Sequence, residues 1–443
     1  MILTKRLNLE SDAGGVRGTL PIQRELVLLT PFPAEPEFSP GSSFALGLYS
    51  RDLVESLLRL DPQLQITVLG EVRHGHEELP SDTRVQIRRV WKPGSLTSFV
   101  SLWRALLDVS RPGTPILVQF EVGAFGGAMH GAALSLTLLL LRVRQRPATL
   151  VIHNMVCDWR AIKEYLAHRF ATPRSIVYAG LLRLWLRALN HLVGQCIVLE
   201  GHLAQRMKRY GYRGPLAVIP HGVSTPAEGS GSGPIGLGMV DGRCNVLIFG
   251  FPGWYKGTDL LIQWLGDRHA RDLFPSSCQF VVAGSPNPVH MNTERYRSYL
   301  ANLERLCEEA NVRYVRNVPS GDVQSLFRTT DLLVMPYRVL VGGSGVLALA
   351  ARYSTPIALS KAVEGWLEDP DFLQAIEGAS IARRDLVFDD AAGLASIVRR
   401  INDPEFRAQA VFVLDSVREK RCWDMVAARY RDAILPQHSQ SQS

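Results

Sequence analysis

The sequence lacks the features that mark several large classes of protein. Its six cysteines, at positions 157, 196, 244, 278, 307 and 422, form no Cys-x-x-Cys pair. We therefore expect reduced thiols in a cytoplasmic protein rather than a zinc site or a disulfide framework. The first fifteen residues also lack the apolar stretch of a signal peptide, and export is not expected.

Long apolar runs are missing as well. The longest, at 132–141, is too short to cross a bilayer and is followed by arginines at 142, 144 and 146. The sequence therefore predicts no transmembrane helix.

Basic residues are concentrated in one part of the chain. The 443 residues carry a formal net charge of +7, and 46% of them are hydrophobic, which predicts a globular protein of two or three domains. Residues 1–222 hold 26 Lys and Arg against 17 Asp and Glu, whereas residues 223–443 hold 23 against 25. Within 142–213 the ratio is 13 to 3. The basic charge thus belongs to one segment of the first half.

Short apolar runs alternate with helical patterns, and the alternation occurs twice. Two doubly wound α/β domains are therefore predicted, facing each other across a cleft that holds the ligand. We place the first domain at 1–222, a Gly/Ser-rich linker at 223–243, the second domain at 244–417 and a terminal helix at 418–436. Predicted strands of the first domain are 25–30, 66–69, 116–119, 149–152 and 196–199, and those of the second are 245–250, 279–284, 312–315, 332–337 and 355–360.

A glycine-rich turn stands between the strand at 332–337 and a helix at 347–351. It reads Gly-Gly-Ser-Gly at 342–345. Glycine lets the backbone approach a phosphate, and a helix start offers N–H groups and the positive end of its dipole. The turn is either an anion site or an ordinary strand-to-helix connection.

Polar residues follow other predicted strands. Lys256 lies between a strand and a helix, where it either meets a phosphate or faces solvent, and Gly284 ends the next strand. In the first domain Glu121 and His153 follow inner strands, and His221 lies where that domain ends. A histidine at a strand end can transfer a proton in the cleft, although a structural role is equally open.

Five segments together resemble retaining glycosyltransferases of family 4. In order along the chain they are QFEVGAFGG (119–127), IHN (152–154), IPHGV (219–223), GFPGWYKGTDLL (250–261) and MPYRVLVGGSGVLALA (335–350). The resemblance implies the GT-B fold, with two Rossmann-like domains, and a nucleotide-sugar bound to the second domain. It covers the chain from about residue 25 to the terminal helix, which resembles the family's helix crossing back to the first domain.

The resemblance also implies roles for individual residues. Lys256 would bind the donor diphosphate and, with His153, act in catalysis, while transfer would retain the anomeric configuration by front-face attack. The implied donor-binding residues are Gly41, Ser42, Lys256, Gly284, Gly343, Ser344, Gly345 and Val346. Glu121, Asn154 and His221 would contact the acceptor or the transferred sugar. The nucleotide-sugar would be a substrate, and neither a cofactor nor a metal is expected.

The sequence departs from the family pattern at two places. Two glutamates that many relatives carry around the turn are replaced by Gly342 and Ala350, although a branch with a Ser-Gly-Val turn also lacks them. An arginine shortly before the lysine is absent, since residues 251–253 read Phe-Pro-Gly. A catalytically impaired sugar-nucleotide-binding or scaffold protein, or a sugar-nucleotide epimerase or phosphorylase, therefore stays open beside the transferase.

A basic amphipathic helix is predicted at 176–193. Its apolar stripe contains Leu182, Trp185, Leu186, Leu189 and Leu192, with arginines beside it. The stripe either covers the domain core or lies on an anionic membrane surface. We accordingly expect a sugar or glycolipid acceptor, with peripheral contact to the inner face of the membrane as one option. Nucleic acid is not an expected partner, because no recognition module accompanies the charge.

Overall fold

The computed structural model describes most of the chain. The described residues are 24–33, 44–72, 82–121, 124–126, 128–156, 158–165, 172–226, 239, 242–287, 290–291 and 293–435. The predicted donor residues Gly41 and Ser42 lie outside these ranges, as does most of the predicted linker. Our boundaries at 222, 243 and 417 stay predictions.

The first part of the chain builds a parallel sheet of seven strands in the order β3-β2-β1-β4-β5-β6-β7. Nearly every residue of the inner strands is buried, as expected for a sheet covered on both faces. Its strands are β1 (Arg24–Leu29), β2 (Leu64–Glu71), β3 (Val85–Trp91), β4 (Ile116–Phe120), β5 (Ala148–Ile152), β6 (Gln195–Val198) and β7 (Leu216–Val218).

The second part builds a parallel sheet of six strands in the order β10-β9-β8-β11-β12-β13. In both sheets the order reverses beside a central strand, which is the arrangement of a Rossmann-like domain. The predicted fold of two doubly wound α/β domains is confirmed. The strands are β8 (Cys244–Phe249), β9 (Cys278–Ala283), β10 (Arg313–Val315), β11 (Leu332–Met335), β12 (Ile357–Ser360) and β13 (Val387–Phe388).

Helices connect the strands and cover both faces of each sheet. Those of the first part are α1 (Phe44–Leu60), α2 (Ser98–Val109), α3 (Ala128–Val143), α4 (Trp159–Tyr165), α5 (Thr172–Leu192) and α6 (Gly201–Arg209). The others are α7 (Thr258–Gly266), α8 (Arg268–Arg271), α9 (Glu294–Glu309), α10 (Val323–Arg328), α11 (Gly345–Arg352), α12 (Pro370–Gly378), α13 (Ala391–Arg400), α14 (Pro404–Lys420) and α15 (Trp423–Ile434). Within the described ranges, no helix is both long and apolar enough to cross a bilayer.

The hydrophobic core of the first domain lies on both faces of its sheet. Helices α2, α3 and α5 pack on one face, and α1 packs on the other together with the last helix of the chain, α15. The buried hydroxyls of Tyr49 in α1 and Tyr430 in α15 lie 2.9 Å apart. Helix α15 therefore packs on the first domain.

The apolar stripe predicted on α5 belongs to this core. Leu186 and Leu189 are fully buried, and Leu182, Trp185 and Leu192 pack partly buried against the same cluster. Of the two interpretations of this stripe, the core one is correct, because the stripe is the side of α5 that covers the sheet.

Candidate functional site

The carboxyl ends of the two sheets meet at a direct contact between the domains. Asn154, just after β5, pairs antiparallel with Gly342, just before α11. On either side of this pair, Gly343 N–H donates to the His153 carbonyl at 3.2 Å and Met155 N–H donates to the Val341 carbonyl at 3.1 Å. Two of the segments that carried the resemblance thus lie against each other.

Two glycines allow this close approach. A Cβ atom on Gly342 would lie 2.2 Å from the His153 carbonyl oxygen, and one on Gly343 would lie 2.8 Å from Leu199 Cδ1. Both distances are shorter than side chains tolerate. These glycines are therefore needed for the contact between the domains, and the N–H of Gly343 is used there.

The next residues of the turn begin α11. Ser344 caps the helix, because its hydroxyl accepts from the Leu347 N–H at 3.2 Å. The N–H groups of Gly345 and Val346 have no acceptor within the helix, as in the first turn of any helix. Gly345 is exposed, and no atom lies within 4 Å of the place where its Cβ would be. This helix start can receive an anion.

Lys256 lies beside the start of α11. It belongs to a 3-10 turn, Trp254–Lys256, that follows β8. A Cβ atom on Gly250 would lie 2.7 Å from Lys256 Nζ and 3.1 Å from Val346 Cγ2. The ammonium group and the helix start therefore border the same point at the end of β8.

The charge of Lys256 is only weakly compensated. Its side chain is buried, which lowers its pKa to about 8, and no carboxylate of the described residues forms an ion pair with it. The ring of Tyr337, centred 5.4 Å from Nζ, gives a cation–π contact. A buried ammonium group without a counter-ion is suited to bind an anionic ligand.

The turn that carries Lys256 is held by residues that our sequence interpretation missed. Arg338 makes two hydrogen bonds to Asp259, of 2.9 and 2.8 Å, and its guanidinium lies 4.0 Å from the centroid of the Trp254 ring. The Tyr299 hydroxyl also donates to Asp259, at 3.2 Å. The sequence offered one signal for this residue, which is the position of Arg338 directly after the predicted strand at 332–337.

Gly284 is buried against Gly250, the glycine that borders the Lys256 ammonium group. Its N–H donates to the Val315 carbonyl at 3.0 Å, and a Cβ atom there would lie 2.2 Å from the Gly250 carbonyl oxygen. Its φ of 152° belongs to the region that favours glycine. Gly284 thus lets the ends of β8 and β9 approach each other.

His153 is buried on the opposite side of the cleft. Its Nε2 lies 2.6 Å from the amide oxygen of Gln119, which can only accept, so Nε2 donates and Nδ1 is left as an acceptor. Burial, reinforced by His221, lowers the pKa of His153 to about 3. The imidazole is therefore neutral at physiological pH and only weakly basic.

The three predicted acceptor-side residues also follow strands of the first sheet. The Asn154 amide donates to Glu121 at 2.8 Å, and burial raises the pKa of Glu121. His221 Nδ1 donates to the Gly222 carbonyl at 2.7 Å, and burial lowers its pKa. The Tyr49 ring lies edge-on to His221, with centroids 5.0 Å apart. The structure brings Glu121 to Asn154, and it brings His221 near His153, because both imidazole rings pack edge-on against the Tyr49 ring.

A second group missed by sequence reasoning joins the domains. Glu200 follows β6 and is almost fully buried, and it lines a small cavity together with His221 and Ser344. Burial, with a hydrogen bond to Asp369 of the second domain, raises the pKa of Glu200 well above its usual value. Arg421 in turn donates to Asp369 at 3.3 Å. Such contacts join residues far apart in the sequence, so no local pattern signals them.

No metal centre is found in the part of the chain described here. No group of three or more His, Cys, Asp and Glu side chains in that part could hold a metal ion. The expectation that neither a metal nor a cofactor is needed stays a prediction.

Solved structures with the same fold include several glycosyltransferases. Sucrose-phosphate synthase from Thermosynechococcus elongatus is 14% identical, with a TM-score of 0.65 over 93% of this chain and 98% of its own. Trehalose-phosphate synthase from Burkholderia xenovorans, in complex with glucose-6-phosphate, is 12% identical, with a TM-score of 0.64 over 92% and 99%. The Anabaena protein HepE, in complex with UDP and glucose, is 12% identical, with a TM-score of 0.60 over 93% and 99%.

Other comparisons give no closer relative. No protein-family model and no curated protein matches the chain. Membership of family 4 therefore stays a prediction. What the similarities establish, together with the two parallel sheets, is the architecture: the chain has the GT-B fold, with two Rossmann-like domains.

Proposed function

We propose that the protein transfers a hexosyl group from a nucleotide-sugar to a hydroxyl group of an acceptor, with retention of anomeric configuration. One observation carries this proposal. The buried ammonium group of Lys256 and the N-terminus of α11 border one point at the carboxyl edge of the second sheet. In open α/β sheets ligands bind at this edge, and the two groups complement a diphosphate.

The similar structures support the same kind of ligand. HepE is in complex with UDP and glucose, and the Burkholderia xenovorans enzyme is in complex with glucose-6-phosphate. By analogy we assign the donor nucleotide to the second domain of this chain and the acceptor, a sugar or a glycolipid, to the first.

The charge states of the site fit front-face transfer. In that mechanism the leaving diphosphate takes part in deprotonating the acceptor hydroxyl, so no strong base is needed. His153, with a pKa of about 3, is too weakly basic to remove that proton efficiently. Its Nδ1 can instead accept a hydrogen bond from a sugar hydroxyl and orient it.

The two missing glutamates can be explained by packing. A side chain on Gly342 would collide with the His153 carbonyl, and Ala350 is fully buried in the core of the second domain. A glutamate at either position would disrupt this arrangement. We therefore assign recognition of the transferred sugar to polar groups of the first domain, namely Asn154 and Glu121.

A binding protein without catalytic activity is the second candidate. The observation that favours it is the small amount of positive charge where the diphosphate would bind. The arginine that many family 4 enzymes carry shortly before the lysine is absent here. Arg338 lies in the same region, but its two hydrogen bonds to Asp259 engage it elsewhere. Lys256 and a helix start are then left to stabilise the leaving group.

Ligand binding by variants of Lys256 tests the proposal. UDP and UDP-glucose should raise the melting temperature of the protein, and Lys256→Ala should weaken UDP binding by about ten- to a hundredfold, the usual value of a hydrogen bond to a charged group. Lys420→Ala, which removes a partly exposed lysine at the end of α14, is the matched control.

The same proteins separate the two candidate functions. Release of UDP from UDP-glucose, stimulated by an acceptor such as glucose-6-phosphate and lost in Lys256→Ala, would support a transferase. Binding of UDP without any release would favour the binding protein. Equal affinity of Lys256→Ala and the unchanged protein for UDP would refute the site itself.

A further inference from the structure

Helices α3 and α5 lie side by side on the same face of the first sheet. Leu138 of α3 and Leu186 of α5 belong to the same buried cluster. Trp185 Nε1 of α5 donates to the Ser135 hydroxyl of α3 at 2.9 Å, which ties the helices together. Their outer sides therefore form one continuous surface, which we call the α3–α5 face.

The outer sides of these helices are apolar. Eight of the eighteen exposed large apolar side chains of the described residues stand on the two helices. They recur at helical spacing, and Val143 and Leu184 are 73% and 62% exposed. The eight are Met129, Leu136, Leu139, Val143, Ile176, Val177, Leu181 and Leu184.

Such a surface is unusual for helices that cover a sheet. The outer stripe of a surface helix normally carries charged and polar residues, because the inner stripe already supplies the core. Here the inner stripe is apolar as well, with Leu186 and Leu189 fully buried. The outer apolar residues are thus not needed for packing of this domain, and contiguous exposed apolar surface marks an interaction site.

Positive charge surrounds the apolar surface. Neither α3 nor α5 contains an Asp or Glu, whereas Arg142 and Arg187 are exposed on them. Arg144 after α3, and Arg160 and Lys163 of the neighbouring α4, are exposed as well. The apolar stripe therefore has exposed basic residues beside it and no acidic residue on either of its own two helices.

We propose that the α3–α5 face docks on an anionic lipid membrane. Apolar side chains would enter the boundary between headgroups and acyl chains while the arginines meet lipid phosphates, as in amphipathic helices that lie in the membrane plane. A second copy of this chain fits less well, because docking two such faces would bring the arginines of α3 and α5 together, and neither helix carries a carboxylate to offset them.

Docking in this way would place the cleft beside the lipid. Helix α3 follows β4, and α5 precedes β6, so both helices have their N-terminal ends at the carboxyl edge of the first sheet. Met129 and Ile176 therefore stand near the edge that carries Glu121 and His153. The proposal goes beyond the proposed function and does not depend on glycosyl transfer.

Vesicle flotation of the full chain tests the proposal. The protein should float with vesicles of phosphatidylglycerol and phosphatidylcholine and stay at the bottom with phosphatidylcholine alone. Leu181→Gln/Leu184→Gln should reduce the bound fraction about tenfold or more, because two buried leucines are lost from the interface. Arg142→Gln/Arg187→Gln should weaken binding about fivefold per arginine and reduce its sensitivity to salt.

Matched controls address folding and non-specific adhesion. Val100→Gln/Phe412→Gln removes two similarly exposed apolar side chains outside the α3–α5 face and should float like the unchanged protein. Melting curves of every variant verify folding. Failure of the unchanged protein to float, or equal flotation of the Leu181/Leu184 variant, would overturn the proposal. A dimer that dissociates in that variant, without lipid binding, would show that a second copy covers the face instead.

Discussion

Burial sets the protonation state of the residues that line the cleft. It lowers the pKa of Lys256 to about 8 and the pKa of His153 to about 3, because a low-dielectric surrounding disfavours the charged form of each. The consequences differ. Lys256 keeps its charge at neutral pH but lies close to losing it, whereas His153 is neutral under any ordinary condition. Of these two side chains, only that of Lys256 can therefore bind phosphate as a cation.

Binding of a nucleoside diphosphate should depend on pH through Lys256. Below pH 8 the ammonium group is present, and affinity for UDP should be constant once the phosphates are fully ionised. As the pH rises through about 8 the free protein loses this proton, and the dissociation constant should rise about tenfold per pH unit. Isothermal titration calorimetry between pH 7 and pH 10 measures this change.

The variant Lys256→Ala is the control for this dependence. It should bind UDP weakly and with the same affinity across the range, since the titrating group has been removed. If the unchanged protein shows no loss of affinity up to pH 10, the pKa of Lys256 is not depressed or the ammonium group does not meet the diphosphate.

At the scale of single elements, the glycine-rich turn before α11 has two separate tasks. Gly342 and Gly343 allow the contact with the segment after β5, and Gly345 and Val346 begin the helix. The sequence predicted the strand, the turn and the helix, because all three depend on local patterns. It could not predict that half of the turn contacts His153, because that contact joins residues that are far apart in the chain.

The strand-to-helix turn around Lys256 depends on a buried ion pair. The side chains of Arg338 and Asp259 are 16% and 3% exposed and share two hydrogen bonds. Arg338→Ala leaves the Asp259 carboxylate buried without this partner, which should lower the free energy of unfolding by about 3–5 kcal/mol. Urea denaturation measures the loss.

A surface pair provides the comparison. Arg305→Ala breaks the exposed pair between Arg305 and Glu309 in α9 and should cost only about 0–1 kcal/mol. The double change Arg338→Ala/Asp259→Ala should cost less than the two single changes summed, because it leaves no unpaired charge. A loss for Arg338→Ala as small as that for Arg305→Ala would mean that the pair does not hold the turn.

At the scale of the whole molecule, the inner strands and the edge strand β10 were predictable, whereas the other three edge strands, β3, β7 and β13, were not. Strand β11 is a continuous apolar run and β4 is interrupted only by Gln119, because helices cover both of their faces. The edge strand β3 was missed because it is only partly buried and carries Arg88 and Arg89 in its middle. The sequence correctly predicted an apolar stripe on α5. It could not predict what the stripe contacts, because that depends on which side of the helix meets the sheet.

The connection between the domains includes a buried carboxyl group with a raised pKa, that of Glu200. Glu200 of the first domain is hydrogen-bonded to Asp369 of the second, and the Gly201 N–H donates to Asp369 at 2.7 Å. Arg421, which leads into α15, contacts Asp369 and Asp371. Arg429 also pairs with Asp371, at 3.8 Å, so two arginines share three acidic side chains, and burial raises the pKa of Glu200.

The raised pKa of Glu200 should make stability depend on pH. The pKa of Glu200 is raised in the folded protein above its unfolded value of about 4.5. Between these two values the folded state binds more protons, so the free energy of unfolding falls as the pH rises, by up to about 1.4 kcal/mol per pH unit. Glu200→Gln keeps the shape of the protonated carboxyl group and removes its titration. The variant should therefore gain melting temperature, relative to the unchanged protein, as the pH is raised from 5 to 8.

The exposed Glu368 supplies the matched substitution. Glu368→Gln should leave the difference in melting temperature between pH 5 and pH 8 as it is in the unchanged protein, because that carboxyl group is already hydrated. If Glu200→Gln behaves like Glu368→Gln, Glu200 is ionised in the folded protein, and Arg421 and Arg429 must compensate all three carboxylates. The domains would then be joined by an ion-pair network, and salt rather than pH would weaken their contact.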